Sequence, residues 1–198
     1  MENRVVPGEL QQIVSDALGI PFPTVSIHAR RLREAGAITR AGRGKSAPSM
    51  GVADAARLLV SLLWSTGVND AVPALERAAS ARLMPDMRIG FLARPGDDEA
   101  GAVELMTWLL EAYASGAVAD YHARHGGHAS TLGSSVRLSF RLNGKRSFMV
   151  EYVPVAKGGH PERCAMMIPG DTSPALDYQS VNRVSGKSLM VVAGRFAG

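Results

Sequence analysis

The sequence holds a single cysteine, Cys164, among 198 residues. That excludes an intramolecular disulfide framework and any multi-cysteine zinc site. No apolar run reaches the roughly 18–20 residues that a bilayer-spanning helix needs. The first residues, Met1-Glu2-Asn3-Arg4, lead into polar helical sequence and not into the apolar core of a signal peptide. There is no internal repeat and no low-complexity tract. Secretion and membrane insertion are therefore not expected, and a cytoplasmic protein is. What is present is an ordinary globular composition, 46% hydrophobic and 20% charged. The length allows one or two domains and a real core without disulfides or a structural metal. No cofactor is expected.

The net charge of +4 is unevenly spread. Residues 1–46 carry 7 Lys/Arg against 4 Asp/Glu, residues 47–120 carry 5 against 10, and residues 121–198 carry 10 against 4. The first basic block is tight. Between His28 and Ser46 lie Arg30, Arg31, Arg33, Arg40, Arg43 and Lys45, opposed only by Glu34. Such a cluster attracts phosphate backbones and releases their counterions. It is also what a solvated helix face looks like, so the surrounding motif must decide.

Periodicity supplies the coarse structure. Leu10, Ile13, Val14, Ala17 and Leu18 predict a helix over 9–18, stopped by Gly19. Pro21 makes the next residues a turn, and Pro23 can open a second helix running to about Ala35. Val25, Ala29 and Leu32 share its inner face. Ala37–Arg40 reads as a short strand, 41–46 as a basic loop tip, and Asp54–Trp64 as a central helix, apolar nearly all round. Asp70–Leu83 reads as an alanine-rich helix capped near Asn69-Asp70, followed by a break at Pro85 and a short strand at Arg88–Leu92. Asp97 or Asp98 caps a helix to about Ser115. Beyond it, Val136–Leu142 alternates with period two, Asn143-Gly144 follows, and Lys145–Val153 returns, which is a strong hairpin signal. Arg163–Ile168 and Leu189–Phe196 complete the strands expected of the C-terminal part.

The informative stretch is helix, tight turn, helix, then a strand into a basic loop. The first helix can brace the second, whose outward side chains fit a major groove about 12 Å wide. The stretch resembles the DNA-binding core of bacterial winged helix-turn-helix regulators of the arsenical-resistance-repressor and multiple-antibiotic-resistance-repressor families. The resemblance rests on Leu18-Gly19, Thr24-Val25-Ser26 and Leu32-Arg33-Glu34-Ala35-Gly36-Ala37-Ile38, and it covers about residues 9–46. It departs from the families' pattern at Ala37, at the paired Pro21 and Pro23, and at Ile27. It implies that Thr24, Ser26, Ile27, Arg30 and Arg31 lie at or near DNA, with Arg40, Arg43 and Lys45 as wing contacts. Thr24 and Ser26 would donate to phosphate near the helix start, where backbone N–H groups also point outward. Arg30 and Arg31 would reach guanine edges or phosphates, and Arg43 a phosphate or a narrow minor groove.

Other groupings carry less. His122, His125 and His128, with His160 and Cys164 later, are chemically able to bind zinc, but Gly126 and Gly127 oppose one helix aligning all three, and a polar loop is expected. No metal site and no catalytic residue is assigned. Gly44-Lys45-Ser46 lacks the upstream glycine of a phosphate loop. Arg137, Ser139 and Arg141 share a strand face that is either a solvated sheet surface or a further nucleic-acid surface.

The sequence thus predicts an α+β protein: an N-terminal winged helix-turn-helix (1–50), a helical linker or dimerisation region (51–84), and an α+β effector or interaction domain (85–198) whose antiparallel sheet contains a hairpin. The expected function is that of a homodimeric, sequence-specific transcriptional regulator of prophage or mobile-element type, not an enzyme. Its partners would be double-stranded DNA and a small-molecule or protein effector at 85–198. The alternatives are a ligand-binding or enzymatic C-terminal module with a DNA-targeting head, and an assembly or inhibitor protein.

Overall fold

A computed structural model describes residues 5–40, 49–83, 89–92, 100–141, 147–154, 161–167 and 181–197. The helices are α1 (Pro7–Leu18), α2 (Phe22–Glu34), α3 (Val52–Trp64), α4 (Ala71–Ser80), α5 (Ala102–Ala114), α6 (Ala117–Arg124), α7 (Ala129–Ser135) and α8 (Gly186–Ala193). The strands are β1 (Arg82–Leu83), β2 (Val136–Arg141), β3 (Ser147–Tyr152), β4 (Glu162–Met167) and β5 (Val181–Ser185). They form one antiparallel sheet of order β1-β4-β3-β2-β5. The fold is therefore mixed helix and sheet, with the helices segregated from an antiparallel sheet as in α+β proteins.

The period-two alternation of β2 and β3 sorts their side chains cleanly. Leu138, Phe140, Phe148, Val150 and Tyr152 face the helices and are buried. Arg137 and Ser139 face away. Register pairs Val136 with Tyr152 and Arg141 with Ser147, so the two strands form the expected hairpin; Asn143-Gly144 lies outside the described residues. The helical layer meets this face through α3. Trp64 sits edge-on to Phe140 at 6.2 Å between ring centroids, and the Asn182 amide of β5 donates to the Leu63 carbonyl at 2.8 Å. Fully burying a side chain of this kind contributes roughly 1.5–3 kcal/mol. The hydrophobic cluster is continuous from Val5 to Ala193.

α3 is enclosed by α2, α4, α5 and β2, and every residue from Leu58 to Trp64 is buried. It therefore has no apolar face left for a second copy. In segment 51–84 α4 turns Pro73, Glu76, Ala79 and Ser80 outward, and Gly51, Thr66, Gly67, Asn69 and Arg82 are exposed as well.

Several expected elements differ. Leu189–Phe196 is not the last strand: α8 covers Gly186–Ala193, and β5 at Val181–Ser185 takes the edge position. Ser185 caps α8 by accepting from the Ser188 N–H at 3.4 Å, and Leu189, Val192 and Ala193 bury one face at helical spacing. Asp70–Leu83 is not helical throughout. α4 ends at Ser80, because Ala81 turns to extended backbone and Arg82–Leu83 pairs with Met166–Met167. Ile89–Leu92 is a turn closed by the Leu92 N–H on the Ile89 carbonyl at 2.8 Å, not a strand, and Arg88 lies outside the described residues. Ala37–Arg40 is bend and coil, not a strand. Its donors explain why: the Thr39 N–H and hydroxyl both go to the Asp54 carboxylate, each at 2.9 Å, and not to a partner strand. Asp97 and Asp98 lie outside the described residues, and α5 begins after Gly101. In place of the polar loop expected around the histidines, α6 and α7 occupy 117–124 and 129–135.

Candidate nucleic-acid interface

α1 and α2 are joined by a tight turn at Gly19–Pro21. Gly19 takes φ +66°, a left-handed conformation that a side chain rarely adopts, and its N–H caps α1 on the Ser15 carbonyl. The buried Ser15 hydroxyl then donates to the Ile20 carbonyl at 2.7 Å, fixing the exit of the turn. α2 follows at once. Val25, His28, Ala29 and Leu32 are buried along its inner face, against α1, α3 and α4.

That inner face sets what points outward. Ser26 and Ile27 are half-buried and Arg30 is exposed on the opposite side, so these three share one surface. Arg30 lies 3.6 Å from Glu34 with both side chains about 60% exposed, so the pair is weak. Thr24 and Arg31, seven residues apart, lie two turns from each other on a flank. There the Arg31 guanidinium donates to the Asn69 side-chain oxygen at 3.3 Å. The start of α2 gives fewer backbone donors than a helix start usually does. Pro21 and Pro23 have no N–H, and the Thr24 and Val25 N–H groups go to the Pro21 carbonyl at 2.9 and 3.2 Å. The free donors at this end are the Thr24 and Ser26 hydroxyls more than the backbone.

Arg40 is exposed beyond the other end of α2; Arg43 and Lys45 lie outside the described residues. The ends of the segment that carries them are tied together. Asp54, on the first turn of α3 and buried, accepts from the Thr39 N–H, the Thr39 hydroxyl and the Gly51 N–H, each at 2.9 Å. The Met50 N–H adds a bond to the Val5 carbonyl at 2.9 Å. Residues 36–40, Asp54 and Arg57 surround a polar cleft of about 380 Å³. Asp54, Arg57 and Asn69 are the residues that reading the sequence missed. The available signal was that Asp54 and Arg57 are the only charged residues in an otherwise apolar helix.

The histidines divide by burial. His28 Nδ1 lies 3.2 Å from Ser61 Oγ, whose proton goes to the Ala71 carbonyl, so Nδ1 carries the hydrogen and donates. His122 uses both ring nitrogens, Nδ1 to the Tyr152 hydroxyl at 3.1 Å and Nε2 to Thr131 Oγ1 at 2.8 Å. Tyr121 stacks on His125 at 4.2 Å and donates to both oxygens of Glu162, at 2.7 and 2.8 Å. Burial, then the Glu162 carboxylate, pushes the Tyr121 hydroxyl up to about 12, so it stays a donor. These bonds tie the cluster to itself and leave His122 no nitrogen for a metal. Among the described residues no three His, Cys, Asp or Glu side chains are placed to hold an ion; His160 lies outside them, and the Cys164 thiol is buried.

Burial lowers the pKa of His28, with Asp70 opposing it. Burial also lowers that of His122, with the charges of His128 and His125 acting in the same direction and a bond to the His128 backbone opposing them. Each imidazole is thus neutral in the folded chain at a pH where the unfolded chain has begun to protonate. The unfolded state binds more protons in acid, so stability falls as pH drops from 6.5 through the folded values. The loss should reach up to about 1.4 kcal/mol per pH unit for each histidine. Urea midpoints at about pH 7.5 and about pH 5.5 measure it. His28→Gln and His122→Gln should each flatten the profile, and an unchanged slope in both would contradict this origin.

On the far side of the sheet, Arg137, Glu151 and Arg163 lie in one row across β2, β3 and β4. Arg163 is paired with Glu151 at 2.9 Å, and Arg183 is exposed one row away. No helix among the described residues is long and apolar enough to cross a membrane. The chain has no match among protein-family models, curated protein sequences or solved structures.

Proposed function

We propose that the protein is a sequence-specific DNA-binding transcriptional regulator that acts in the cytoplasm through an N-terminal winged helix-turn-helix. The observation that carries this reading is α2. It is braced on α1 through a glycine-capped turn, it turns Ser26, Ile27 and Arg30 to solvent, and it leads through Arg31 and Arg33 into Arg40 and the basic segment 41–46. A helix so presented suits a major groove, and the cations that follow suit the flanking phosphates. In this reading residues 1–50 are the reading head and 51–84 the link to a second copy through α4. Residues 85–198 are the effector body, and two heads of a homodimer meet two half-sites.

The test is fluorescence anisotropy with duplex from the protein's own upstream region against a scrambled duplex, across a salt series. The variant Arg30→Ala/Arg31→Ala should lose about 10- to 100-fold on the cognate duplex and less on the scrambled one. Equal affinity of the wild type for both duplexes, vanishing at moderate salt, would reduce the patch to nonspecific electrostatics.

A further inference from the structure

We propose that the cleft between residues 36–40 and the first turns of α3 is a seat for a phosphate group, supplied by the backbone of the bound duplex and held by Arg57 with Arg40. The inference rests on the DNA-binding reading and extends it to α3, a helix that reading does not use. The cleft, about 380 Å³, brings together two arginines seventeen residues apart in sequence. Asp54 lines it too, one turn before Arg57 on the same helix. Its carboxylate is already engaged by the Thr39 N–H, the Thr39 hydroxyl and the Gly51 N–H. Among the described residues neither Arg40 nor Arg57 has a carboxylate within ion-pair distance or a hydrogen-bond partner. The cleft therefore offers donors in guanidinium forks, while its carboxylate and its threonine hydroxyl are bonded to each other.

A site of that kind selects a ligand that only accepts, which is an oxyanion. The planar fork of arginine matches two phosphate oxygens at once. The two cations outweigh the one engaged carboxylate, so the site keeps a net positive charge. Its place in the fold points to a backbone phosphate. It opens at the C-terminal end of α2, about 18 Å along the helix from the first residues of that helix, and one of its residues, Arg40, directly precedes the basic stretch 41–46 in sequence. A contact there holds the duplex in register and reads no base.

The experiment uses the full chain, with Arg57→Ala and Arg57→Lys, on the cognate and scrambled duplexes over about 50–200 mM salt. Arg57→Ala should weaken both duplexes by the same factor and reduce the slope of log K against log salt by about 0.9, while Arg57→Lys keeps the slope. Near-UV circular dichroism of each variant checks that the chain is folded. In parallel, pyrophosphate is titrated into the DNA-free protein and followed by chemical shift, expecting saturation that Arg57→Ala abolishes. If the wild type binds duplex and Arg57→Ala keeps both affinity and slope, the seat is overturned and the DNA reading stands. If the wild type binds no duplex but binds pyrophosphate through Arg57, the duplex is overturned as the source and the regulator reading falls. If it binds neither, both are overturned.

Discussion

Gly127→Ala should destabilise the protein by about 3 kcal/mol, a fall in Tm of roughly 6–12 °C for a chain of this size. A Cβ at position 127 would stand 2.2 Å from Nε2 of His122 and 2.3 Å from two of its ring carbons. The ring has nowhere to go. It is buried, and both nitrogens are bonded, to Tyr152 and to Thr131. Moving it breaks at least one of those bonds, at about 1–3 kcal/mol, on top of the overpacking cost of similar size. Urea midpoints at constant slope measure the loss. The decisive comparison is a double-mutant cycle. With His122→Ala already in place the obstacle is gone, and Gly127→Ala should then cost less than about 1 kcal/mol. An equal cost in both backgrounds would show that the ring is not what the new methyl group meets.

Asp54→Ala should cost a similar amount, about 3 kcal/mol, for a different reason. The substitution leaves three donors without their acceptor: the Thr39 N–H, the Thr39 hydroxyl and the Gly51 N–H. Bonds to a charged acceptor are worth about 1.5–3 kcal/mol each, and water can replace part of that near the surface. Asp54→Asn keeps one carbonyl oxygen in place and should lose about half as much. The consequence for binding separates this residue from an ordinary helix cap. Thr39 and Gly51 lie on either side in sequence of the stretch with Arg43 and Lys45, and without Asp54 neither is held to α3 by these bonds. Duplex affinity of Asp54→Ala should therefore fall even at temperatures where circular dichroism shows the chain folded. Full affinity in the folded variant would show that the bonds of Thr39 and Gly51 to Asp54 do not contribute to binding.

Much of the fold was legible wherever one period dominates. Leu10, Ile13 and Val14 announce α1, Val25, Ala29 and Leu32 announce α2, and the alternation from Val136 to Phe140 announces a strand with its turn and return. Ambiguity arose where the apolar residues run together. Leu189-Met190-Val191-Val192 satisfies a strand as well as a helix, and only the Ser185 cap and the packing of α8 on α1 decide it. The helices α6 and α7 were hidden because glycines and histidines are poor helix formers in isolation, and tertiary packing of Val118, His122 and Leu132 overrides that. The candidate site divides in the same way. The outward face of α2 follows from its inward face, so Ser26, Ile27 and Arg30 could be read directly. The clamp between Asp54 and Thr39, and the cleft shared by Arg40 and Arg57, depend on residues fifteen or more positions apart, which no local pattern encodes.

The packing of α1 on α8, with Glu9 reaching Arg195 at 3.5 Å, has a consequence for the order of assembly. The apolar stripe of α1 leaves the ribosome well before α8, one of the helices that covers it. Until α8 is made, Leu10, Ile13 and Val14 lack that part of their native cover. The helix that braces the proposed reading head is thus completed by a contact between segments far apart in sequence, the kind of closure that slows folding and leaves apolar surface exposed in partly made protein. A nascent chain arrested before residue 186 would carry α2 and its arginines on an incompletely covered brace, so competence to bind should arrive only when α8 docks.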